Sequence, residues 1–86
     1  MNSINLKEIA IELTNLNKEV AKGITKTNES VKNGYISRSE AGTITNGMIG
    51  ENLNTIFNEY DLNEDEKNQL NALANKHVEQ IQQKLA

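Results

Sequence analysis

Apolar residues recur at Leu6, Ile9, Leu13, Leu16 and Val20, in steps of three, four, three and four. That alternation keeps one stripe on one side of an α-helix, the seam with which a helix packs along another. Asn5 stands before the stripe as an N-cap, and Glu8 is placed three residues on to close a capping box. Beyond Val20 the regularity fails. Gly23 ends the heptad, Ile24 and Val31 keep an apolar face displaced from it, and Thr25, Thr27, Asn28 and Ser30 are mediocre helix formers. The pattern predicts a helix over residues 6–32 that frays or bends near Gly23. The strict stripe is too short for a coiled coil, which needs about three to four heptads, and reads as the packing seam of a small bundle. Asn33-Gly34 is a stop signal, because either residue tolerates the left-handed conformation that ends helices.

A second segment opens on Ser37-Arg38-Ser39-Glu40, the spacing of a capping box. Ala41, Ile44, Met48, Ile49, Leu53, Ile56, Phe57 and Tyr60 follow at steps of mostly three and four and predict a helix over residues 38–60. Gly42, Gly47 and Gly50 interrupt it, each at a cost of about 1 kcal/mol relative to alanine. A kink or break is therefore expected at Gly47–Gly50. Thr43–Ile49 also fits a hairpin turning at Asn46-Gly47, although arms of two or three residues are marginal alone in water. In the third segment Asn63 is the N-cap and Glu66 its box partner. Leu70, Leu73, Ala74, His77, Val78, Ile81 and Leu85 form the apolar face of a helix over residues 64–85. The fold class expected is all-α, a single domain built as a small three-helix bundle.

Composition limits how much core this bundle can have. Leu, Ile, Val and Phe make up 21 of 86 residues, just above the share at which disorder becomes the default. A core this thin suits either a marginal monomer or a chain that enlarges its core with a second copy. With no cysteine and one histidine, neither a disulfide nor a Cys/His metal cage can be built, and no cofactor is expected. The N-terminal stretch MNSINLKEIAIELTNL has no basic region followed by an unbroken apolar one, and no apolar run approaches the roughly 20 residues that span a bilayer. The expectation is a cytoplasmic protein without a membrane segment. Asparagine (14 residues), lysine over arginine (eight to one) and isoleucine over valine (nine to three) are the usage of AT-rich codons. They point to a low-GC bacterium or one of its phages or plasmids.

Candidate chemistry is sparse. His77 lies on or beside the third apolar face, where a pH switch or general base competes with a histidine at the edge of the core, snorkelling or bonded to a backbone group. Asp61-Leu62-Asn63-Glu64-Asp65 has the alternation of a calcium loop. The loop's glycine is replaced by Glu66 and its bidentate glutamate by Ala72, so Glu64, Asp65 and Glu66 read instead as charge at the positive end of a helix dipole. Lys18, Lys22 and Lys26, four apart, share one row. They form a solvated face or one offered to an acidic partner. Residues 1–38 carry net charge +2 and residues 39–86 carry −5, which with a single arginine argues against nucleic acid. Gly42, Gly47 and Gly50, with Met48 between the last two, allow close approach of helices or a ligand, or form a hinge. Tyr35 and Ile36, just after Asn33-Gly34, either cover the end of the bundle or present an apolar knob to a partner.

No nucleophile–base pair, phosphate loop or metal set is present, so an enzyme is not expected. The expectation is a small helical protein–protein interaction protein, an adaptor, inhibitor or regulator, with a homodimer as one form. Its candidate contacts are Tyr35, Ile36, Gly47, Met48, Gly50, Lys18, Lys22 and Lys26. One alternative is a DNA-binding helix-turn-helix made by the second and third segments, although its recognition helix would begin with Glu64-Asp65-Glu66. Another is a signal-less secreted helical hairpin. Such proteins carry Trp-x-Gly at the corner, whereas this chain has Gly34-Tyr35 and no tryptophan. Phe57 with Asp61 and Tyr60 with Glu64 have the aromatic-x-x-x-acid spacing of an export signal, a spacing that helices produce often.

Overall fold

In a computed structural model, which describes residues 5–86, the chain forms α1 (Leu6–Lys22), α2 (Ile24–Lys32), α3 (Arg38–Glu59) and α4 (Glu64–Gln82). The first four residues of the N-terminal stretch read above for a leader lie outside the described residues. No strand occurs among those described. Helices α1 and α2 are one helix bent at Gly23, so three helices pack together in a rod of 51 × 19 × 19 Å.

Each boundary has a local cause. Asn5 accepts from Lys7 N at 2.9 Å, and this cap is not closed into a box by Glu8 as the spacing suggested. The other two boxes are complete. Ser37 Oγ accepts from Glu40 N at 3.0 Å while Ser37 N donates to Glu40 Oε1 at 2.9 Å. Asn63 and Glu66 exchange the same pair at 2.8 and 2.9 Å. At the first corner Gly34 takes φ 80°, Tyr35 N donates to Ser30 O and Gly34 N donates to Val31 O. That pair of bonds around a left-handed residue is the Schellman ending of a helix. Helix α4 stops at Gln82 rather than at Leu85. The last residues turn back onto α2, where Asn28 Nδ2 donates to Lys84 O at 3.0 Å and Asn28 Oδ1 accepts from Ala86 N at 2.9 Å.

Two expectations for the second segment are corrected. Helix α3 runs unbroken through Gly47–Gly50, and neither a break nor the hairpin at Asn46-Gly47 forms. Its buried residues Ala41, Thr45, Ile49, Leu53 and Ile56 recur every three or four positions and hold it against α1, α2 and α4. Tertiary packing of this kind outweighs a few unfavourable propensities. The helix is also rotated from the face read in the sequence. Ile44 and Met48, both part of the apolar periodicity, are 44% and 46% exposed, while Thr45 is 2% exposed. Thr45 can be buried because its hydroxyl donates back to Ala41 O and Gly42 O at 3.1 and 3.0 Å.

The remaining core follows the apolar pattern. Ile9 and Leu13 of α1, Ile24 of α2, and Leu70, Ala74, Ile81 and Leu85 from the third segment are buried. Leu6, Leu16 and Val20 flank that core half-buried. The deepest line of α1 also takes in a polar residue, Asn17, at 3% exposure.

Candidate functional site

Asn17 is buried where α1, α3 and α4 meet, and its side chain bonds to both neighbours. Asn52 Nδ2 on α3 donates to Asn17 Oδ1 at 2.9 Å. Asn17 Nδ2 lies 2.7 Å from His77 Nδ1 on α4. A buried amide without partners would cost a few kcal/mol, so the three residues are mutually dependent. His77 thus sits half-buried at the edge of the core, with the Asn17 side chain as its partner. Burial, and then the charge of neighbouring Lys76, keeps its imidazole below the usual histidine range. In the sequence the only signal for Asn17 is its place four residues after Leu13, in line with the stripe.

Beside this ladder lies a shallow groove of about 170 Å³, lined among others by Thr14, Asn17, Lys18, His77, Gln80 and Lys84. A second polar groove runs along the other side of the bundle, where Gln82 Nε2 reaches Gly42 O at 3.1 Å and Asn46 Oδ1 at 2.8 Å. Its remaining lining residues include Arg38, Ser39 and Thr43. At the opposite end of the molecule Tyr60 donates its hydroxyl to Glu12 Oε1 at 2.6 Å. That bond, reinforced by burial and by the carboxylates of Glu12, Glu59 and Glu8, pushes the Tyr60 phenol up to about 12. The hydrogen bond with Glu12 likewise raises the Glu59 carboxyl above its ordinary value. Among the described residues, no group of three or more His, Cys, Asp or Glu side chains is arranged to hold a metal ion.

The sequence-derived contact residues are spread over several surfaces. Tyr35 is 80% exposed at the α2–α3 corner, whereas Ile36 beside it is half-buried against the core. Gly47 and Met48 are exposed on α3 and Gly50 is half-buried. A Cβ built at Gly47 or Gly50 would meet nothing within 4 Å, so neither glycine serves a close approach inside the chain. Gly42, by contrast, faces the Gln82 amide at 3.0 Å. Lys18, Lys22 and Lys26 are all exposed; Lys18 borders the His77 groove and Lys22 pairs with Glu19 at 3.0 Å.

What stands out on the surface is therefore one side of α3. Residues 41–50 carry no charge, and within them Ile44 and Met48 stand one turn apart and half-exposed, flanked by Gly47. Glu40 and Glu51 bound this stretch. No helix among the described residues is long and apolar enough to cross a membrane. Comparison with protein-family models, with curated proteins and with solved structures finds no match to this chain.

Proposed function

We propose that this chain is a small non-enzymatic interaction protein that docks a protein partner on the outer side of α3, around Ile44 and Met48. The observation that carries the reading is the uncharged, half-exposed Ile44–Met48 pair on a helix whose other side is fully engaged in the core. Scattered single apolar residues on a surface need no explanation. Here the two apolar side chains adjoin Gly47, a glycine that costs a helix about 1 kcal/mol and does nothing for the chain's own packing. A glycine on an exposed helix face lets a partner's backbone come close. The neighbouring Ile44 and Met48 supply the apolar contact, methionine adapting its shape to the surface it meets. Tyr35, at the far end of the α2–α3 corner, is a second exposed anchor for a larger partner.

The test compares surface variants with the parent protein in light scattering over a concentration series and in cross-linking from position 48. Ile44→Glu with Met48→Glu is expected to abolish the association while leaving the helical circular dichroism unchanged. Ile11→Glu, on the outer side of α1 where Ile11 is 52% exposed, is expected to leave it intact. A strictly monomeric protein with no partner sensitive to Ile44 and Met48 would overturn the reading. Scattering distinguishes a second copy of the chain from another protein.

A further inference from the structure

The Asn52–Asn17–His77 ladder has a direction. An asparagine amide offers one oxygen, which accepts, and one nitrogen, which donates. Asn17 Oδ1 accepts from Asn52 Nδ2, so Asn17 Nδ2 must donate and His77 Nδ1 must accept. In this arrangement the imidazole is neutral, with its proton on Nε2; a neutral imidazole with its proton on Nδ1, like the imidazolium, fits only the reversed arrangement. Every bond points the same way, from α3 through α1 to α4.

An imidazolium does not fit this arrangement, because its Nδ1–H would face the NH2 of Asn17. The conflict disappears if both amides turn over. His77 Nδ1–H then donates to Asn17 Oδ1, and Asn17 Nδ2 donates to Asn52 Oδ1. The number of hydrogen bonds is unchanged and each is reversed. Turning one amide alone sets donor against donor or acceptor against acceptor, so the ladder has two satisfied states and an unfavourable middle.

We propose that this ladder is a proton-driven relay, in which protonation of His77 on α4 reverses both hydrogen bonds and exchanges the amide atom that Asn52 presents at the surface of α3. Asn52 is half-buried and lies one turn after Met48. In the arrangement of the structure its nitrogen is turned inward to Asn17 Oδ1 and its oxygen is left to face outward. In the protonated state the outward atom is a donor. The rim of the Ile44–Met48 patch thus changes from acceptor to donor as pH falls. This consequence for docking rests on the function proposed above, whereas the relay itself does not.

Burial, and then the charge of Lys76, biases the ladder toward the neutral state. Lys18 approaches the groove from α1, and Lys76 and Lys84 belong to the same segment as His77. From α3 it is the neutral Asn52 that bonds to the ladder. No carboxylate lines the groove, so nothing there favours the imidazolium before the bulk pH does.

The experiment follows the side-chain NH2 resonances of Asn52 and the ring resonances of His77 in the isolated protein, between about pH 8 and about pH 5, above the range where ordinary carboxylates titrate. The expected result is a shift of the Asn52 NH2 with the same midpoint as His77. In Asn17→Leu, His77 still titrates and the Asn52 shift is lost. In His77→Gln, which keeps a polar side chain on a half-buried site and needs no repacking, the Asn52 shift is lost as well. An Asn52 signal that stays still while His77 titrates in the parent protein would overturn the proposal, as would a shift that persists in either variant. If Asn17→Leu does not fold, His77→Gln decides alone. Because no partner is needed, failure of the docking face and failure of the relay are read separately.

Discussion

Gly34 sits at φ 80°, in the left-handed region that an L side chain enters only at a cost of about 1–2 kcal/mol. Gly34→Ala is therefore expected to lower stability by roughly that amount even though a Cβ there would touch nothing. Gly47 is in the same open space but inside a regular helix. Gly47→Ala is expected to raise stability by about 1 kcal/mol, since alanine loses less backbone entropy on folding. Thermal unfolding followed by circular dichroism reads both signs in one experiment. If Gly47→Ala stabilises the chain and leaves partner binding unchanged, that glycine has no part in docking. The two residues look alike in the sequence, each following an asparagine, and it is their dihedral angles that separate them.

Among the elements, α3 is where packing departs most from the apolar pattern. Its apolar residues allow two faces roughly one residue apart: one through Ile44 and Met48, the other through Ala41, Ile49, Leu53 and Ile56. The second wins because Thr45 fills the gap between Ala41 and Ile49 with its hydroxyl bonded to its own helix. The choice is measurable. Ile49→Ala, at 1% exposure, is expected to cost about 2–5 kcal/mol, whereas Ile44→Ala is expected to stay near 0.5 kcal/mol. Equal losses at the two positions in urea unfolding would contradict the register. The caps hold the same helix at its start, and Ser37→Ala is expected to remove about 1 kcal/mol. Both complete capping boxes were readable as four-residue motifs, because capping is local chemistry.

For the whole molecule, the polar ladder ties three helices together through one titratable group. The folded protein holds His77 below the histidine value of the unfolded chain, about 6.5. The unfolded chain therefore takes up a proton first as pH falls. Stability is full above about pH 7 and declines as pH drops through about 6.5 toward the lower folded-state value, levelling out below it. Urea midpoints measured across that range should show the decline in the parent protein and not in His77→Gln. The relay limits the loss, because the reversed ladder satisfies the imidazolium. Carboxylates contribute at lower pH. Glu40, lowered chiefly by the Ser37 backbone N–H, stabilises α3 when ionised and loses that contribution as pH falls through its depressed value.

By itself the sequence determined what depends on neighbours along the chain: the all-α class, three helical segments, the bend at Gly23, the stop at Gly34 and the caps at Ser37 and Asn63. Apolar spacing also indicated most of the core on α1 and α4, where the periodic residues are aliphatic and the stripe is unambiguous. Tertiary structure decided which polar residues lie inside. Asn17 and Thr45 are buried and His77 half-buried, which no apolar pattern shows, because a polar side chain can leave water only if a partner waits for it. For Asn17 those partners are residues 35 and 60 positions away in the chain. The same long-range packing turned Ile44 and Met48 outward and kept α3 whole across glycines that favour a break. The candidate docking face and the ladder behind it are thus products of the fold, since both rest on which side of α3 the other helices cover.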